Sequence, residues 1–316
     1  MEKPIIWMVI PCYNEQEVLP ETASRLKAVF AGLVAENKIS PDSKIAFVDD
    51  GSKDRTWQII EDYYENDFVY AGIKLSRNRG HQNAVLAGLM TAKNHCDAAI
   101  SMDADLQDDV EAIPKMIEKY LSGADIVYGV RSDRSSDTAF KRGTAQGFYS
   151  AMGAMGVETI PNHADFRLMD KRALEALAEY GEVNLFLRGI VPTLGFNTDT
   201  VMYERSQRFA GESKYPLKKM LALAVDGISS FSIKPLRLSL FLGGFAMLAA
   251  LGFFVASLCV QPAEGWLWVS AAVWFIGALQ LFMLGIIGEY IGKNYLESKH
   301  RPRYFLEKVL FRGGEQ

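Results

Sequence analysis

Lys44–Asp54 reads KIAFVDDGSKD, an apolar run that ends in two acidic residues and a Gly-Ser turn. The residue types of Lys44–Asp49 are typical of a buried strand, and the residues from Asp54 to Asn66 suit the helix that follows. Similar apolar runs recur along the chain, with helical stretches between them, at Ile5–Pro11, Tyr70–Leu75, Ala98–Asp103 and Asp125–Val130. This alternation of strands and longer helices predicts an α/β domain built on a mostly parallel sheet.

Polar residues that can take part in chemistry follow four of these five runs. They form the blocks Pro11–Glu15, Asp49–Asp54, Ser76–Gln82 and Asp103–Gln107. In an open sheet of parallel strands, ligands bind beyond the carboxyl ends of the strands. The sequence therefore predicts a ligand site at this edge of the sheet.

The segment DADLQ contains three oxygen ligands, which belong to Asp103, Asp105 and Gln107. In an extended chain, residues two apart point to the same side, so the two carboxylates can meet at one point with the amide oxygen of Gln107. Hard oxygen ligands suit Mg²⁺ or Mn²⁺, which bind through one or two carboxylates plus substrate phosphates. We expect a divalent cation here; an acidic turn without a ligand is the alternative.

The acid pair Asp49-Asp50 precedes a Gly-Ser turn and a helix start. A carboxylate at this place can accept a hydrogen bond from a base or a ribose, and Gly51 lets the backbone approach a ligand closely. The alternative is an ordinary helix cap, with Ser52 or Asp54 as the capping side chain. The ring of Tyr13 offers a flat face for a base.

Two uncharged apolar segments, Leu238–Val260 and Trp266–Gly288, follow in the C-terminal part. At about 1.5 Å per residue, each helix reaches roughly 34 Å, enough to cross a hydrocarbon core of about 30 Å. We predict a transmembrane hairpin; two buried core helices are the alternative. Lysines and arginines precede the first span and follow the second, and the linker between the spans has none. This charge pattern predicts that the catalytic domain and both termini are cytoplasmic.

The expected organisation has four parts: a catalytic domain over residues 1–215, juxtamembrane amphipathic helices over 216–235, two transmembrane helices over 236–292, and a cytoplasmic C-terminal tail over 293–316. The α/β core is expected to be complete before Pro216. The chain of 316 residues has a net charge of −4, and nucleic acids are bound by a surplus of Lys and Arg, so a nucleic acid is not an expected partner. The three cysteines are widely spaced and predict neither disulfides nor a metal knuckle.

Several motifs together carry a family resemblance. PCYNE, VDDGSKD, NRGHQNAVLAG and DADLQ, in this order and spacing, resemble glycosyltransferase family 2, whose catalytic domain has the GT-A fold. NHADFRLM (Asn162–Met169), RSQRFAGESKY (Arg205–Tyr215) and the two apolar segments narrow the resemblance to the polyisoprenyl-phosphate glycosyltransferases of the GtrB and dolichol-phosphate-mannose-synthase kind. It covers essentially the whole chain.

The resemblance implies roles for individual residues. Asp165 and Asp105 are implied to be catalytic, with Asp165 at the sugar. The nucleotide contacts are implied to be Pro11, Tyr13, Glu15, Asp50, Ser52 and Asp103. Asp103, Asp105 and Gln107 are implied to hold the metal. The acceptor and diphosphate contacts are expected to be Arg131, Arg205, Arg208, Ser213 and Lys214. His163 is interpreted as a structural residue, with a metal ligand as the alternative.

The implied reaction moves one sugar, most simply glucose from UDP-glucose, onto polyprenyl (undecaprenyl) phosphate with inversion. Other donors remain open: a UDP-N-acetylhexosamine, GDP-mannose or a UDP-aminoarabinose derivative. The acceptor phosphate is already anionic at neutral pH, so Asp165 is expected to orient the acceptor or stabilise positive charge at the anomeric carbon. The expected location is the bacterial inner membrane, and the expected assembly is a homo-oligomer such as a tetramer.

Two rival functions fit the sequence less well. A processive polysaccharide synthase usually carries a Gln-x-x-Arg-Trp block and more membrane spans, and this sequence has neither. A non-catalytic nucleotide-sugar sensor or membrane scaffold has no need of DADLQ, Asp165 and the basic block together.

Overall fold

The computed structural model describes residues 3–132, 163–183, 185–204, 234–257 and 265–312. The strands are β1 Ile6–Cys12, β2 Lys44–Asp49, β3 Tyr70–Leu75, β4 Ala98–Ser101, β5 Ile126–Arg131, β6 His163–Asp170, β7 Thr198–Tyr203 and β8 Leu306–Leu310. The helices are α1 Leu19–Ala35, α2 Thr56–Asn66, α3 His81–Ala92, α4 Ala112–Leu121, α5 Lys171–Ala178, α6 Leu187–Thr193, α7 Lys234–Ser257 and α8 Gly265–Ser298.

The described residues divide into two units. The first contains the sheet and helices α1 to α6, and it includes the C-terminal strand β8. The second contains the apolar helices α7 and α8, which contact each other.

The strands form one sheet in the order β7-β5-β6-β4-β1-β2-β3-β8. Strands β1 to β4 are parallel to one another, and β5 is parallel to β7. Strand β6 runs antiparallel between β4 and β5, and β8 is antiparallel to β3. The predicted α/β fold with a mostly parallel, GT-A-like sheet is confirmed.

The core follows from the alternation of side chains along the central strands. On one face of β1, Ile6, Met8 and Ile10 are fully buried and belong to a cluster with residues of α1, α2 and α4. The opposite face packs against α3. There, a Cβ atom at Gly88 would collide with Val9, so the glycine allows the helix to lie directly on the strands. Strands buried on both faces explain why these runs are almost continuously apolar.

Two features of the fold correct the sequence analysis. The expectation that the core is complete before Pro216 is wrong, because β8, at Leu306–Leu310, forms an edge of the sheet. The C-terminal residues 301–312 therefore belong with the α/β unit rather than forming a separate tail.

The second predicted span, Trp266–Gly288, lies within α8, which continues to Ser298. The sequence has no proline between Gly265 and Arg301, so no proline interrupts the helix before Pro302. Within the described ranges, one helical segment, Phe275–Ser298, is long and apolar enough to cross a membrane, and none of it is buried. The first predicted span, Leu238–Val260, overlaps α7 and extends beyond the described residues.

Candidate active site

The candidate site lies at the carboxyl edge of the four parallel strands. Loops after β1, β2, β3 and β4 leave the sheet at this edge. Strand β6 runs in the opposite direction, with Arg167 paired to Ser101 at the end of β4. The start of β6 therefore reaches the same edge, and this antiparallel placement brings Asp165 close to the DADLQ segment.

Hydrogen bonds join the loop after β1 to the loop after β2. Asn14 N–H donates to Ser52 Oγ at 3.0 Å, and Lys53 N–H donates to Asn14 Oδ1 at 2.8 Å. Glu15 N–H donates to the hydroxyl of Thr56 at 2.9 Å. The ring of Tyr13 is 42% exposed beside these contacts, as a residue that stacks on a base requires. The predicted residues Pro11, Tyr13, Glu15 and Ser52 are thus brought together, while their nucleotide role stays a prediction.

Asp50 is 3% exposed, and both of its carboxylate oxygens accept hydrogen bonds from backbone N–H groups. Arg79 N–H donates to Oδ1 at 2.6 Å, and Gly80 N–H donates to Oδ2 at 2.9 Å. Burial raises the pKa of Asp50, and these two hydrogen bonds oppose the rise. In the structure the carboxylate therefore fixes the loop Ser76–Gly80, which is a more specific role than the sequence indicated.

Gly51 allows the loop after β2 to contact the loop after β3. Its φ is +68°, and a Cβ atom would lie 2.5 Å from Asn78 N. We expect Gly51→Ala to lower the free energy of unfolding by roughly 3 kcal/mol, because left-handed strain and a backbone clash add. Gly123→Ala is the matched control, since Gly123 has φ +103° but open space around it. Thermal unfolding of the two variants checks this; equal losses of stability would contradict the clash.

The DADLQ segment forms a turn rather than the extended chain that the sequence analysis assumed. Strand β4 ends at Ser101, two residues before Asp103, and Leu106 has φ +54°. Thr22 Oγ1 donates to Ala104 O at 2.8 Å, which holds the turn against α1. Asp105 Oδ1 accepts Gln107 N–H at 3.2 Å. The assumption that the two carboxylates lie two apart on one side of a strand is therefore wrong, although both remain in one turn.

This turn has features that fit a divalent cation. Oδ1 of Asp103 is buried and accepts no hydrogen bond from the residues that the structure describes. Burial and neighbouring carboxylates raise the pKa of Asp103 to about 6, although the positive charge of His81 opposes the rise. No group of three or more His, Cys, Asp or Glu residues that could hold a metal occurs within the described ranges. The two carboxylates of Asp103 and Asp105, which lie in one turn, suit a cation that binds through one or two carboxylates plus phosphates.

Asp165 is the most heavily engaged carboxylate of the site and is 5% exposed. Arg188 on α6 binds it through two nitrogens, Nε to Oδ1 at 3.1 Å and Nη2 to Oδ2 at 3.0 Å. Gln82 Nε2 lies 3.5 Å from Oδ2. Burial disfavours the charged form, but the charge of Arg188 and hydrogen bonds from His81 and Arg188 hold the pKa of Asp165 well below its usual value. Asp165 is therefore an ionised, fixed carboxylate.

His81, at the N-terminus of α3, lies between the carboxylates of Asp165 and Asp103. Its Nε2 is 3.4 Å from Asp165 Oδ2 and 3.4 Å from Asp103 Oδ1. Burial lowers the pKa of His81, but the hydrogen bond to Asp165 and the charges of both carboxylates outweigh it and raise the pKa to about 9. The imidazolium therefore offsets part of the negative charge of this cluster.

Arg131 lies in a second polar cluster rather than on an open surface. Its Nη2 donates to Asp108 Oδ1 at 3.2 Å, and its Nε donates to Tyr203 Oη at 3.2 Å. Tyr203 Oη donates to the same Asp108 oxygen at 2.5 Å. Burial and the charge of Asp108 raise the pKa of Tyr203. The cluster ties the turn after β4 to the ends of β5 and β7, and the acceptor role of Arg131 stays a prediction.

Four predicted contacts, Arg205, Arg208, Ser213 and Lys214, lie outside the described residues, as does the side chain of His163. Sequence reasoning also missed His81, Gln82, Asp108, Arg188 and Tyr203 as members of the site. His81 and Gln82 belong to the polar block Ser76–Gln82, but the sequence assigned neither of them a role. Arg188 lies outside every quoted motif, and Tyr203 lies two residues before the block Arg205–Tyr215, so the fold is what brings both to the site.

Two family models match the chain. One described as glycosyl transferase family 2 matches residues 7–195, and one described as the GtrB C-terminal hairpin matches residues 234–293. The hairpin match covers α7 and most of α8.

Individual proteins are similar over nearly the whole chain. An uncharacterized glycosyltransferase, YkoT, of Bacillus subtilis (strain 168) is 50% identical over 98% of this chain and 93% of its own. A bactoprenol glucosyl transferase of Shigella phage SfV is 39% identical over 96% of this chain and 98% of its own. Among solved structures, the mannosyltransferase PcManGT from Pyrobaculum calidifontis, in complex with GDP-Man and Mn²⁺, is 15% identical, with a TM-score of 0.43 over 92% of this chain and 88% of that one.

Proposed function

We propose that this chain, which belongs to glycosyl transferase family 2, transfers a single glucose from a nucleotide donor to polyprenyl phosphate. The observation that carries the proposal is the pairing of the turn Asp103–Gln107 with the fixed carboxylate of Asp165 at one edge of the sheet. The near full-length similarity to a bactoprenol glucosyl transferase supports the lipid acceptor and the glucose.

Asp103, Asp105 and Gln107 would hold Mg²⁺ or Mn²⁺ together with the donor diphosphate. Asp103 Oδ1 accepts no hydrogen bond from the described residues and has an ion pair with His81 at 3.4 Å, and three further carboxylates lie near it; this negative charge supports the assignment. When bound, the cation neutralises the charge that develops on the diphosphate leaving group.

The acceptor phosphate is the nucleophile and attacks the anomeric carbon in line, with inversion. Because its second pKa is near 6, the phosphate needs no strong base. The low pKa of Asp165 and its two bonds to Arg188 support a role in charge stabilisation and orientation rather than proton abstraction. Arg205, Arg208, Ser213 and Lys214 supply acceptor and diphosphate contacts from the basic block before the membrane.

The match to the GtrB C-terminal hairpin and the exposed apolar segment of α8 support anchoring of the chain in a membrane. The proposed location is the bacterial inner membrane, with the catalytic domain and both termini in the cytoplasm, because the lysines and arginines flank the hairpin on one side. A homo-oligomer, such as a tetramer, would steady the catalytic domain above the lipid surface.

A donor panel tests which sugar is transferred. Purified full-length protein is incubated with polyprenyl phosphate and, in turn, UDP-glucose, UDP-N-acetylhexosamine, GDP-mannose and a UDP-aminoarabinose derivative, and lipids are analysed by mass spectrometry. The expected result is a hexosyl lipid from UDP-glucose at a rate at least about tenfold above the other donors, a discrimination within reach of differential transition-state contacts. A higher rate with another donor would replace glucose in the proposal.

A further inference from the structure

Strand β8 lies downstream of the apolar helices, yet it pairs with β3 of the α/β sheet. The register is Lys74 to Lys308 and then Leu75 to Leu306, so β8 has one extra residue, Glu307, at this point. A bulge of this kind bends the strand and changes where the next residues point. It brings Phe305 opposite Ser76, the first residue after β3.

Phe305 contacts the loop Ser76–Gly80 in two ways. Ser76 N–H donates to the carbonyl oxygen of Phe305 at 3.0 Å. The guanidinium of Arg79 lies 5.9 Å from the centre of the Phe305 ring, within the range of a cation–π contact. Arg79 Nε is buried and donates to no acceptor within the described part of the chain, so the ring is the partner that the structure gives this group.

The same loop is held from the other side by Asp50. Arg79 N–H and Gly80 N–H both donate to the Asp50 carboxylate, and Gly51 packs directly against Arg77 and Asn78. The loop Ser76–Gly80 therefore lies between Asp50, which follows β2, and Phe305, which precedes β8. If either support is removed, the loop has fewer contacts that define its position.

We infer that Phe305 is a positioning residue for the nucleoside diphosphate site. Through its contact with Arg79, it holds the loop Ser76–Gly80 in the conformation that the hydrogen bonds to Asp50 also stabilise. The inference rests on the proposed function and on the prediction that Asp50, which holds this loop, contacts the donor nucleotide. It makes the segment after the membrane helices a part of the donor site. Phe305 itself is exposed and does not take part in the transfer of the sugar.

The test compares three variants of the full-length protein in detergent. Phe305→Ala removes the ring and Phe305→Tyr keeps it. Lys308→Ala, in the strand β8 that follows Phe305, removes an exposed ion pair with Glu61 at 2.7 Å. UDP affinity is measured by calorimetry, and kcat and the donor KM by lipid product formation. We expect Phe305→Ala to weaken UDP binding and raise the donor KM about three- to fivefold, the size of an exposed cation–π contact, with kcat nearly unchanged.

Phe305→Tyr and Lys308→Ala are expected to bind UDP like the wild type. Unchanged UDP affinity in Phe305→Ala, or an equal loss in Lys308→Ala, would overturn the inference. If Phe305→Ala cannot be purified in folded form, Phe305→Leu, which keeps apolar bulk without the ring face, must show the same loss. A wild type that binds no nucleoside diphosphate would instead refute the proposed function, so the two failures are distinguishable.

Discussion

Asp105→Asn is expected to lower turnover by roughly a thousandfold, because the charge that faces the donor diphosphate in the proposed reaction is lost while the shape of the side chain is kept. Asp105 is buried in the turn after β4, where its Oδ1 accepts the Gln107 N–H at 3.2 Å. An asparagine oxygen can accept the same hydrogen bond, so the turn should survive. Turnover is measured as lipid product formed per enzyme under saturating Mg²⁺ or Mn²⁺.

The matched control is Asp109→Asn in the same acidic stretch. Asp109 is partly exposed, and its Oδ1 accepts the Glu111 N–H at 3.0 Å, a contact that asparagine also makes. Both variants change the net charge equally, but Asp109→Asn should keep wild-type turnover. Full activity of Asp105→Asn in a metal-buffered assay would remove this carboxylate from the mechanism.

Asp165→Asn should lower turnover by roughly a hundredfold and leave UDP affinity within about twofold of the wild type. The negative charge of Asp165, fixed by Arg188, lies where positive charge develops on the sugar in the proposed reaction. The amide is neutral and leaves Arg188 and His81 without their shared counter-charge. Its measurement combines steady-state rates with calorimetry of UDP binding.

Asp170→Asn is the control for this prediction, since Asp170 ends the same strand. Its side chain caps α5 by accepting the Ala173 N–H at 2.7 Å, and asparagine is an equally good N-cap. We therefore expect a folded control with normal turnover. A large loss of UDP affinity in Asp165→Asn would assign Asp165 to the nucleotide pocket instead.

The buried parallel strands were predictable because their sequence signal is local. Lys44–Asp49 and Tyr70–Leu75 are β2 and β3 as predicted, and β1, β4 and β5 differ by one or two residues at their ends. Strands with both faces covered are apolar at nearly every position, and polar residues begin where the sheet ends. Asp50 was predicted for the same reason, because it follows such a run, whereas Asp165 was implied by the family resemblance of NHADFRLM.

Strand β8 was missed because its sequence, LEKVL, is short and carries two charges, as an exposed edge strand does. Its assignment depends on β3, which lies more than 200 residues earlier in the chain, so no local pattern predicts it. The side chains that engage Asp165 were missed for a similar reason. Arg188 and His81 lie on different helices, and the antiparallel insertion of β6 alone brings both within reach of one carboxylate.

The conformation of the DADLQ segment also could not be predicted from the sequence. The alternation rule assumes that a strand continues through Asp103, but the chain leaves the sheet after Ser101. Ser101 Oγ donates to Asp165 O at 2.5 Å, and Thr22 holds Ala104 from α1. These tertiary contacts, which lie far apart in the chain, define the turn.

The most direct test of the central claim is the stoichiometry of a complete reaction. Purified wild-type protein in vesicles that contain polyprenyl phosphate is given UDP-glucose, and released UDP and glycolipid are quantified together by mass spectrometry. We predict one UDP released for each lipid formed, one hexose on each lipid, and no release without the polyprenyl phosphate. UDP release without a lipid product, or lipids that carry several sugars, would contradict single-sugar transfer to polyprenyl phosphate.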